Sequence, residues 1–593
     1  MILPPPFDKL SPADSALLGH ALEHVRLAAG DPLFRAGDGG DATYWIDEGE
    51  IRLEVPRPEL DSDSVLAVLG AGAILGELSL LDGLPRSATA VADGEVRLRR
   101  LSAGSFRRLS DEHPRLGAAV LAAFGEHAAR KLRQSNEVLA EHVLIEGRDR
   151  QVDDVVTRAS AAQAAFADWD EEHVDALLLD IAETVALNAE ALAKETVEET
   201  GIGDVVDKTT KNTYASLAIY GSMAGKPGSG PLGEPSDDGV VEIAAPVGVV
   251  FGLIPMTNPV ATAVYKALIT LKARNALILS FHRRCNRVGE RTGTLIREAL
   301  RRHSAPEDLV QCVAGRSDRR KTVRFMSHEG VDLVLATGGP GMVRAAYSSG
   351  TPAIGVGSGN APTWVTATAD VPTAATAVVA SKGFDNGLIC GSEHNLVVDA
   401  SVRAAFVEAL EAAGAAVLDP AEGARFSVGA LAADGSGFRP EMTGQAAARI
   451  AAALGITRPY EIQLIVVPAD LAAGGPLAGE KMAPVLSLYT VDGEDEGLAA
   501  CRTILGLEGR GHTAIIHATE QAMIDRFGAE MPASRILVNS PGSLGVCGLT
   551  SGLAPAFTLG CGTFGGNSTT DNVTYRNLQN VKRLAMVQPE RPY

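Results

Sequence analysis

One of six cysteines stands apart by its neighbours. Cys390 lies in the run Phe384-Asp385-Asn386-Gly387-Leu388-Ile389-Cys390-Gly391-Ser392-Glu393. A thiolate adds readily to the carbon of an aldehyde. The tetrahedral adduct then needs donors already in place for its oxyanion. Cys312, Cys501, Cys547 and Cys561 lie in apolar or glycine-rich surroundings and read as buried structural thiols. Cys285, among Arg283, Arg284 and Arg287, reads as a surface thiol. There is no CxxC and no His-rich spacing, so neither a disulfide framework nor a metal site is expected.

A second constellation lies near the N-terminus, in Gly76-Glu77-Leu78-Ser79-Leu80-Leu81-Asp82-Gly83-Leu84-Pro85-Arg86-Ser87-Ala88. Arg86 can offer a two-pronged fork to phosphate oxygens. Backbone N–H groups near Leu78 and across Arg86, Ser87 and Ala88 can complete an anion nest. Glu77 can accept from a ribose 2′-hydroxyl. Together these groups suit a cyclic phosphodiester.

The elements that must carry these residues fall into two stretches. Residues 1 to about 110 hold short apolar runs broken by turns, among them 31–41, 43–55 and 65–69. That spacing predicts a small antiparallel sandwich or barrel. From about 105 to 145 apolar residues recur every three to four positions, which predicts a helix. The polar run 146–154 reads as a linker. An Ala-rich helical stretch, 155–220, and a Gly/Pro/Ser/Asp-rich one, 225–239, come next. Short apolar runs then alternate with amphipathic helices. The runs are 247–254, 276–280, 333–336, 353–356 and 395–398, and the helices include 259–272, 288–302 and 340–349. That order predicts an α/β region with a largely parallel sheet.

Lys plus Arg number 53 and Asp plus Glu 73, a net charge of −20. An excess of that sign repels nucleic-acid phosphates and anionic lipid, so neither is an expected partner. The most apolar window, 243–256, is too short to span a bilayer and is broken by Pro246, Gly248, Gly252 and Pro255. The N-terminus has no basic n-region and no cleavage site, so a cytoplasmic protein is expected.

The stretch 76–89 resembles the phosphate-binding cassette of cyclic-nucleotide-binding domains, within a resemblance over roughly residues 10–145. It implies a β-sandwich with a C-terminal helix, holding a cyclic nucleotide on Gly76, Glu77, Leu78, Arg86, Ser87 and Ala88. Ser87 stands where guanine-selective members often place Thr, which leans toward cAMP. The run around Cys390 resembles the cysteine motif of the aldehyde dehydrogenase superfamily, in the form of its CoA-acylating branch. Blocks 252–259, 336–341, 354–362 and 480–484 agree in order, as does the tail 559–568. This resemblance covers about 150–590. It implies Cys390 as the nucleophile, with the Asn258 amide and the Cys390 backbone N–H as oxyanion donors. Thr337-Gly338-Gly339 matches a dinucleotide-binding strand end, and Ser280 the position beside the adenosine ribose. Glu480 matches the glutamate on the nicotinamide-side ribose. His512, in Gly511-His512-Thr513, matches a motif of the acylating branch and is a candidate partner for CoA. NAD is the expected cofactor, and NADP stays open because Ser280 replaces a Lys of the hydrolytic branch.

One departure bears on the acceptor. Hydrolytic members carry Glu-Leu-Gly-Gly-Lys, with the Glu as water-activating base, where this chain reads Gly355-Val356-Gly357-Ser358-Gly359. A glycine cannot act as a base, so a CoA thiol is the expected acceptor. The expected organisation is a cyclic-nucleotide-binding domain at 1–148, a Rossmann-like NAD-binding domain at 149–377 and a catalytic domain at 378–593. The last includes a C-terminal return to the cofactor and oligomerisation region. The expected reaction takes aldehyde, CoA and NAD⁺ to acyl-CoA and NADH under cyclic-nucleotide control, in a homodimer or homotetramer. Two alternatives stand beside it. One is a hydrolytic enzyme giving a free carboxylic acid; the other is a cAMP sensor with an inactive dehydrogenase scaffold.

Overall fold

The computed structural model describes Phe7 and residues 10–55, 64–237, 239–315, 318–432, 434 and 437–587. They form two compact units, Met1–Gly147 and Arg148–Tyr593.

In the first unit the strands pair antiparallel in two four-stranded sheets. One has the order Glu23–Leu27, Val96–Ser102, Ala42–Glu48, Ile74–Leu75; the other has Pro32–Phe34, Thr89–Ala92, Ile51–Val55, Ser64–Leu69. Alternation along a strand sends neighbours to opposite faces. Tyr44 and Ile46 therefore join Ile51, Ala90, Val96 and Leu98 between the sheets. Trp45 points the other way, into a cluster with Phe7, Leu109, Leu116, Val120 and Phe124. The sandwich expected from sequence is present, and the helix Glu77–Asp82 carries the first half of the cassette.

The run 146–154 is not an irregular linker. It lies inside the helix Pro114–Phe166. Glu, Arg and Gln are good helix formers, and one glycine costs a helix only about 1 kcal/mol. Within the run Val152 is buried, Gln151 accepts from Lys321 Nζ at 3.0 Å and Asp153 from Arg324 Nη2 at 3.0 Å.

The second unit holds a five-stranded parallel sheet in the order Val310–Cys312, Ala276–Phe281, Val249–Ile254, Leu333–Thr337, Ala353–Val356. A seven-stranded parallel sheet runs Ala415–Val417, Leu464–Pro468, Val485–Val491, Glu393–Asp399, Ala361–Val365, Gly511–His517, Ala533–Val538. Most of these strands are continuous buried apolar runs, as parallel sheets covered on both faces require. The chain passes from the first sheet to the second between Val356 and Ala361, whereas position 377 lies within the helix Val371–Gly383. Near its end the chain returns, and Gln579–Ala585 pairs antiparallel with Val240–Pro246.

The helix Pro259–Lys272 reads as amphipathic but is buried along its whole length. Its two lysines are satisfied inside: Lys266 Nζ donates to the carbonyls of Leu253 and Leu335, both at 2.7 Å, and Lys272 pairs with Glu171 and Asp175. Among the described residues no helix is long and apolar enough to cross a membrane.

Candidate active site

Helix Val371–Gly383 ends in a turn that delivers Cys390. Asp385 and Asn386 adopt left-handed φ values of 47° and 53°, followed by Gly387 at 72°. Each non-glycine there costs on the order of 1–3 kcal/mol, so the surroundings must hold the turn. They do so through named contacts. The Asp385 carboxylate accepts from the Asp204 N–H at 2.8 Å, from Lys208 Nζ at 3.0 Å, and from Lys211 Nζ. Asn386 Nδ2 donates to the Gly444 carbonyl at 3.1 Å.

Beyond that turn lies a cavity of about 260 Å³. Cys390, Asn258, Thr337, Gly338, Gly339 and Glu480 all line it, so the structure gathers residues from four separate sequence blocks. A second cavity of about 440 Å³ shares Thr257, Thr337, Gly338 and Gly339 with the first and also holds Ser280. It opens at the C-terminal ends of parallel strands, where ligands of open α/β sheets bind. His512 lines neither cavity. It is buried in the strand Gly511–His517, its Nδ1 is 2.9 Å from Thr513 Oγ1, and burial lowers its pKa to about 3.

Burial and neighbouring carboxylates oppose ionisation in the site. Burial pushes the Cys390 thiol well up, and the Glu480 carboxylate adds to that. Burial and the nearby Glu508 raise Glu480 to about 8. Glu480 is fixed by the Gly359 N–H at 2.9 Å, and its own N–H donates to Glu508 at 2.9 Å. Ser358 Oγ holds the other Glu508 oxygen at 2.8 Å. Gly359 is also where two backbones meet: a Cβ there would overlap the Cys390 carbonyl.

The position expected to carry a water-activating base needs correcting. A side chain on Gly355 would run into Val343 and Tyr347, whose hydroxyl accepts from the Gly355 N–H at 2.9 Å. Val356 is the residue that lines the cavity. The cysteine readings also shift. Cys285 is buried, not a surface thiol, and burial raises it to about 12. Cys312 is half-buried, with Arg297 Nη1 3.8 Å from its sulfur. Cys501 and Cys561 are buried, and Cys547 is both buried and part of the Cys390 cavity.

In the first unit Gly76, Glu77 and Arg86 meet. Gly76 has a left-handed φ of 79°, and a Cβ there would strike the Arg86 guanidinium. Arg86 is buried, donates to the carbonyls of Gly76 at 2.9 Å and Ala42 at 2.5 Å, and lies 4.4 Å from the Phe34 ring centroid. Its Nε is buried without a hydrogen bond. Glu77 is buried too and accepts from Lys131 Nζ at 2.9 Å. Ala88 is buried, while Leu78 and Ser87 are exposed. Lys131 was not legible as a site residue, and neither were Lys208 and Lys211. The available signal for the last two was a pair of cations three apart on a short Thr-rich helix, facing a motif that contains an aspartate.

The aldehyde dehydrogenase family model matches residues 131–443. The chain belongs to the aldehyde dehydrogenase family. A cyclic nucleotide-binding domain model matches residues 24–113, so the chain carries that domain ahead of its α/β unit. It is 37% identical over 449 residues to aldehyde-alcohol dehydrogenase 2 of Entamoeba histolytica, a match covering 74% of this chain and 51% of that one. The chain thus spans about half the length of that relative. It is 35% identical over 444 residues to the succinate-semialdehyde dehydrogenase (acetylating) of Clostridium kluyveri, covering 74% of this chain and 96% of that one. The crystal structure of an acetylating aldehyde dehydrogenase from Geobacillus thermoglucosidasius superposes with a TM-score of 0.72 at 37% identity, covering 75% of this chain and 98% of that one.

Proposed function

We propose that the second unit converts a small neutral aldehyde and CoA to an acyl-CoA, and that a cyclic nucleotide bound by the first unit controls it. The observation that carries the first half is the single cavity gathering Cys390, Asn258, the Thr337-Gly338-Gly339 turn and Glu480. The adjoining cavity suits a nicotinamide dinucleotide. Around Gly339 there is open space for a close approach, and Arg283 and Arg319 line the wall with charge opposite to a pyrophosphate. Thr337, Gly338, Gly339 and Ser280 would hold it, and the two arginines give a 2′-phosphate a partner as well, so NADP fits beside NAD. A nicotinamide held there would supply the hydride acceptor that aldehyde oxidation needs.

The chain's own residues do the rest. The Cys390 thiolate adds to the aldehyde carbon, while Asn258 Nδ2–H and the Cys390 N–H hold the oxyanion. At the strand end where hydrolytic enzymes carry a base, Val356 faces the cavity. A CoA thiol ionises far more readily than water; once its proton is lost to solvent, its thiolate attacks the carbon of the Cys390 thioester and Cys390 leaves as a thiolate. Among the described lining residues none is Lys, Arg or His; Leu388, Ile389, Met482, Phe557 and Leu559 share the walls with neutral hydroxyl and amide groups and the Glu480 carboxyl. An anionic aldehyde would find no cationic partner there and would face the Glu480 carboxyl, which favours a neutral one.

The test is NADH release from propanal by the purified full chain. It should stop near one equivalent per site without CoA and continue once CoA is added. Cys390→Ala should show neither phase. Steady conversion to the free acid without CoA overturns the reading.

For the first unit the support is the meeting of Arg86, Glu77 and Gly76. Calorimetry with cAMP and with cGMP tests it. Arg86→Ala removes a charge-assisted bond to the phosphate and should cost roughly 1.5–3 kcal/mol of binding. The absence of heat with either nucleotide refutes ligand binding.

A further inference from the structure

The helix Val205–Thr213 belongs to neither the nucleophile's loop nor the oxyanion donor's, yet it holds both. Lys208 and Lys211 are three apart and so share one face of it. Both are almost fully buried. Lys211 Nζ donates to Asn258 Oδ1 and to Asp385 Oδ2. Lys208 Nζ donates to the Thr257 carbonyl at 2.9 Å and to the same Asp385 oxygen at 3.0 Å. Asp385 opens the turn that ends in Cys390, and its own N–H donates to Asp207 at 2.7 Å. Gly203 closes the cluster, since a Cβ there would strike both Asp385 and Lys208.

An ammonium has donors only. The group that Asn258 turns toward Lys211 must therefore be its carbonyl oxygen, which leaves the amide nitrogen facing away. One N–H of that nitrogen is 3.3 Å from Thr257 Oγ1. The second remains for the cavity that Asn258 lines. An amide without such a fixed partner could turn over and present an oxygen to the developing oxyanion, which would repel it.

We propose that Lys211 is a positioning residue for aldehyde oxidation: it locks the Asn258 amide with N–H toward the oxyanion and, through Asp385, ties that donor to the loop carrying Cys390. Lys208 supports the same arrangement through the backbone of Thr257. The inference rests on the roles of Cys390 and Asn258 proposed above.

The experiment is a double-mutant cycle on the full chain with propanal, CoA and NAD. Lys211→Met keeps length and removes the charge. It should lower kcat by roughly 10- to 100-fold while the KM values for aldehyde and CoA stay within about 3-fold. In the Asn258→Ala background the same change should cost little more, because the group that Lys211 orients is already gone. Asp385→Asn gives a second variant should Lys211→Met fail to fold, with the same non-additive loss expected. Unchanged kcat in Lys211→Met, or a loss that adds in full to that of Asn258→Ala, overturns the inference. Cys390→Ala run alongside separates the two levels. Full turnover in Cys390→Ala defeats the underlying mechanism, whereas dead Cys390→Ala with additive Lys211 and Asn258 effects defeats only the positioning role.

Discussion

Glu480 makes the ionisation of Cys390 harder. The thiol is pushed up by burial first and by the Glu480 carboxylate second. Glu480, raised to about 8, is itself largely neutral below that pH. Glu480→Gln takes the opposing charge away, so the thiolate forms at lower pH. Alkylation of Cys390 by iodoacetamide, followed across a pH series, should therefore begin at lower pH in the variant than in wild type; a profile that stays put or moves up is inconsistent with the two groups facing each other. Stability carries a matching sign. A carboxyl whose folded pKa is raised from 4.5 to about 8 holds its proton longer when folded, so wild type loses stability as pH rises through that window. The Tm of Glu480→Gln should lose this part of its pH dependence. At this scale the sequence was legible where chemistry is local. Cys390 and Asn258 are each surrounded by their own motif. Lys211 lies 174 residues from its partner Asp385, and only folding brings them together. Gly355 and Val356 differ by one position, and one position along a strand exchanges the two faces.

Close backbone approaches hold the elements around the site alongside the side-chain contacts. Gly359 is the sharpest case, with its Cα pressed against the Cys390 carbonyl while its N–H fixes Glu480. Gly359→Ala must push that loop aside. A shift of about 1 Å at reacting atoms can cost on the order of 100-fold, so kcat/KM should fall by at least that much. Gly423→Ala is the control. It lies in the helix Pro420–Ala430 with open space at its Cβ and should be neutral or stabilising by about 0.4–1 kcal/mol. Equal losses in both variants contradict the account. The parallel α/β order of these elements was plain in the sequence because apolar runs and helical periodicities alternate. What periodicity could not show is the depth of burial. The helix Pro259–Lys272 keeps two lysines inside because carbonyls and carboxylates from other elements meet them. A charge in a helical pattern reads as surface unless those distant partners are known.

For the whole molecule the question is whether its two chemistries are linked. The cassette was legible because Gly76, Glu77 and Arg86 lie within one short stretch. The pairing of Glu77 with Lys131 was not, because Lys131 lies 54 residues beyond Glu77. In the structure Lys131 occupies the carboxylate that a ribose hydroxyl would need, and it also donates to the Ile74 carbonyl at 3.2 Å. Lys131 sits on the helix Pro114–Phe166, which includes the boundary between the two compact units. A nucleotide that takes Glu77 must release this lysine, and the unfavourable release lowers its apparent affinity. The pair is partly exposed on the lysine side, so the contact is worth about 0.2–1 kcal/mol. Lys131→Ala should accordingly tighten cAMP binding by about 1.5- to 5-fold in calorimetry; weaker binding shows instead that Lys131 helps hold the nucleotide. Control of the dehydrogenase has a stricter requirement. If cAMP changes the NAD dissociation constant by some factor, NAD must change that of cAMP by the same factor, because both measure one coupling free energy. Titrating each ligand at saturating concentrations of the other gives the two factors independently. Coupling of about 1–3 kcal/mol corresponds to roughly 5- to 150-fold. In Lys131→Ala the factor should shrink, since the contact that the nucleotide has to break is already broken. Two factors of one, with cAMP bound and turnover unchanged, make the first unit an independent binder on the same chain.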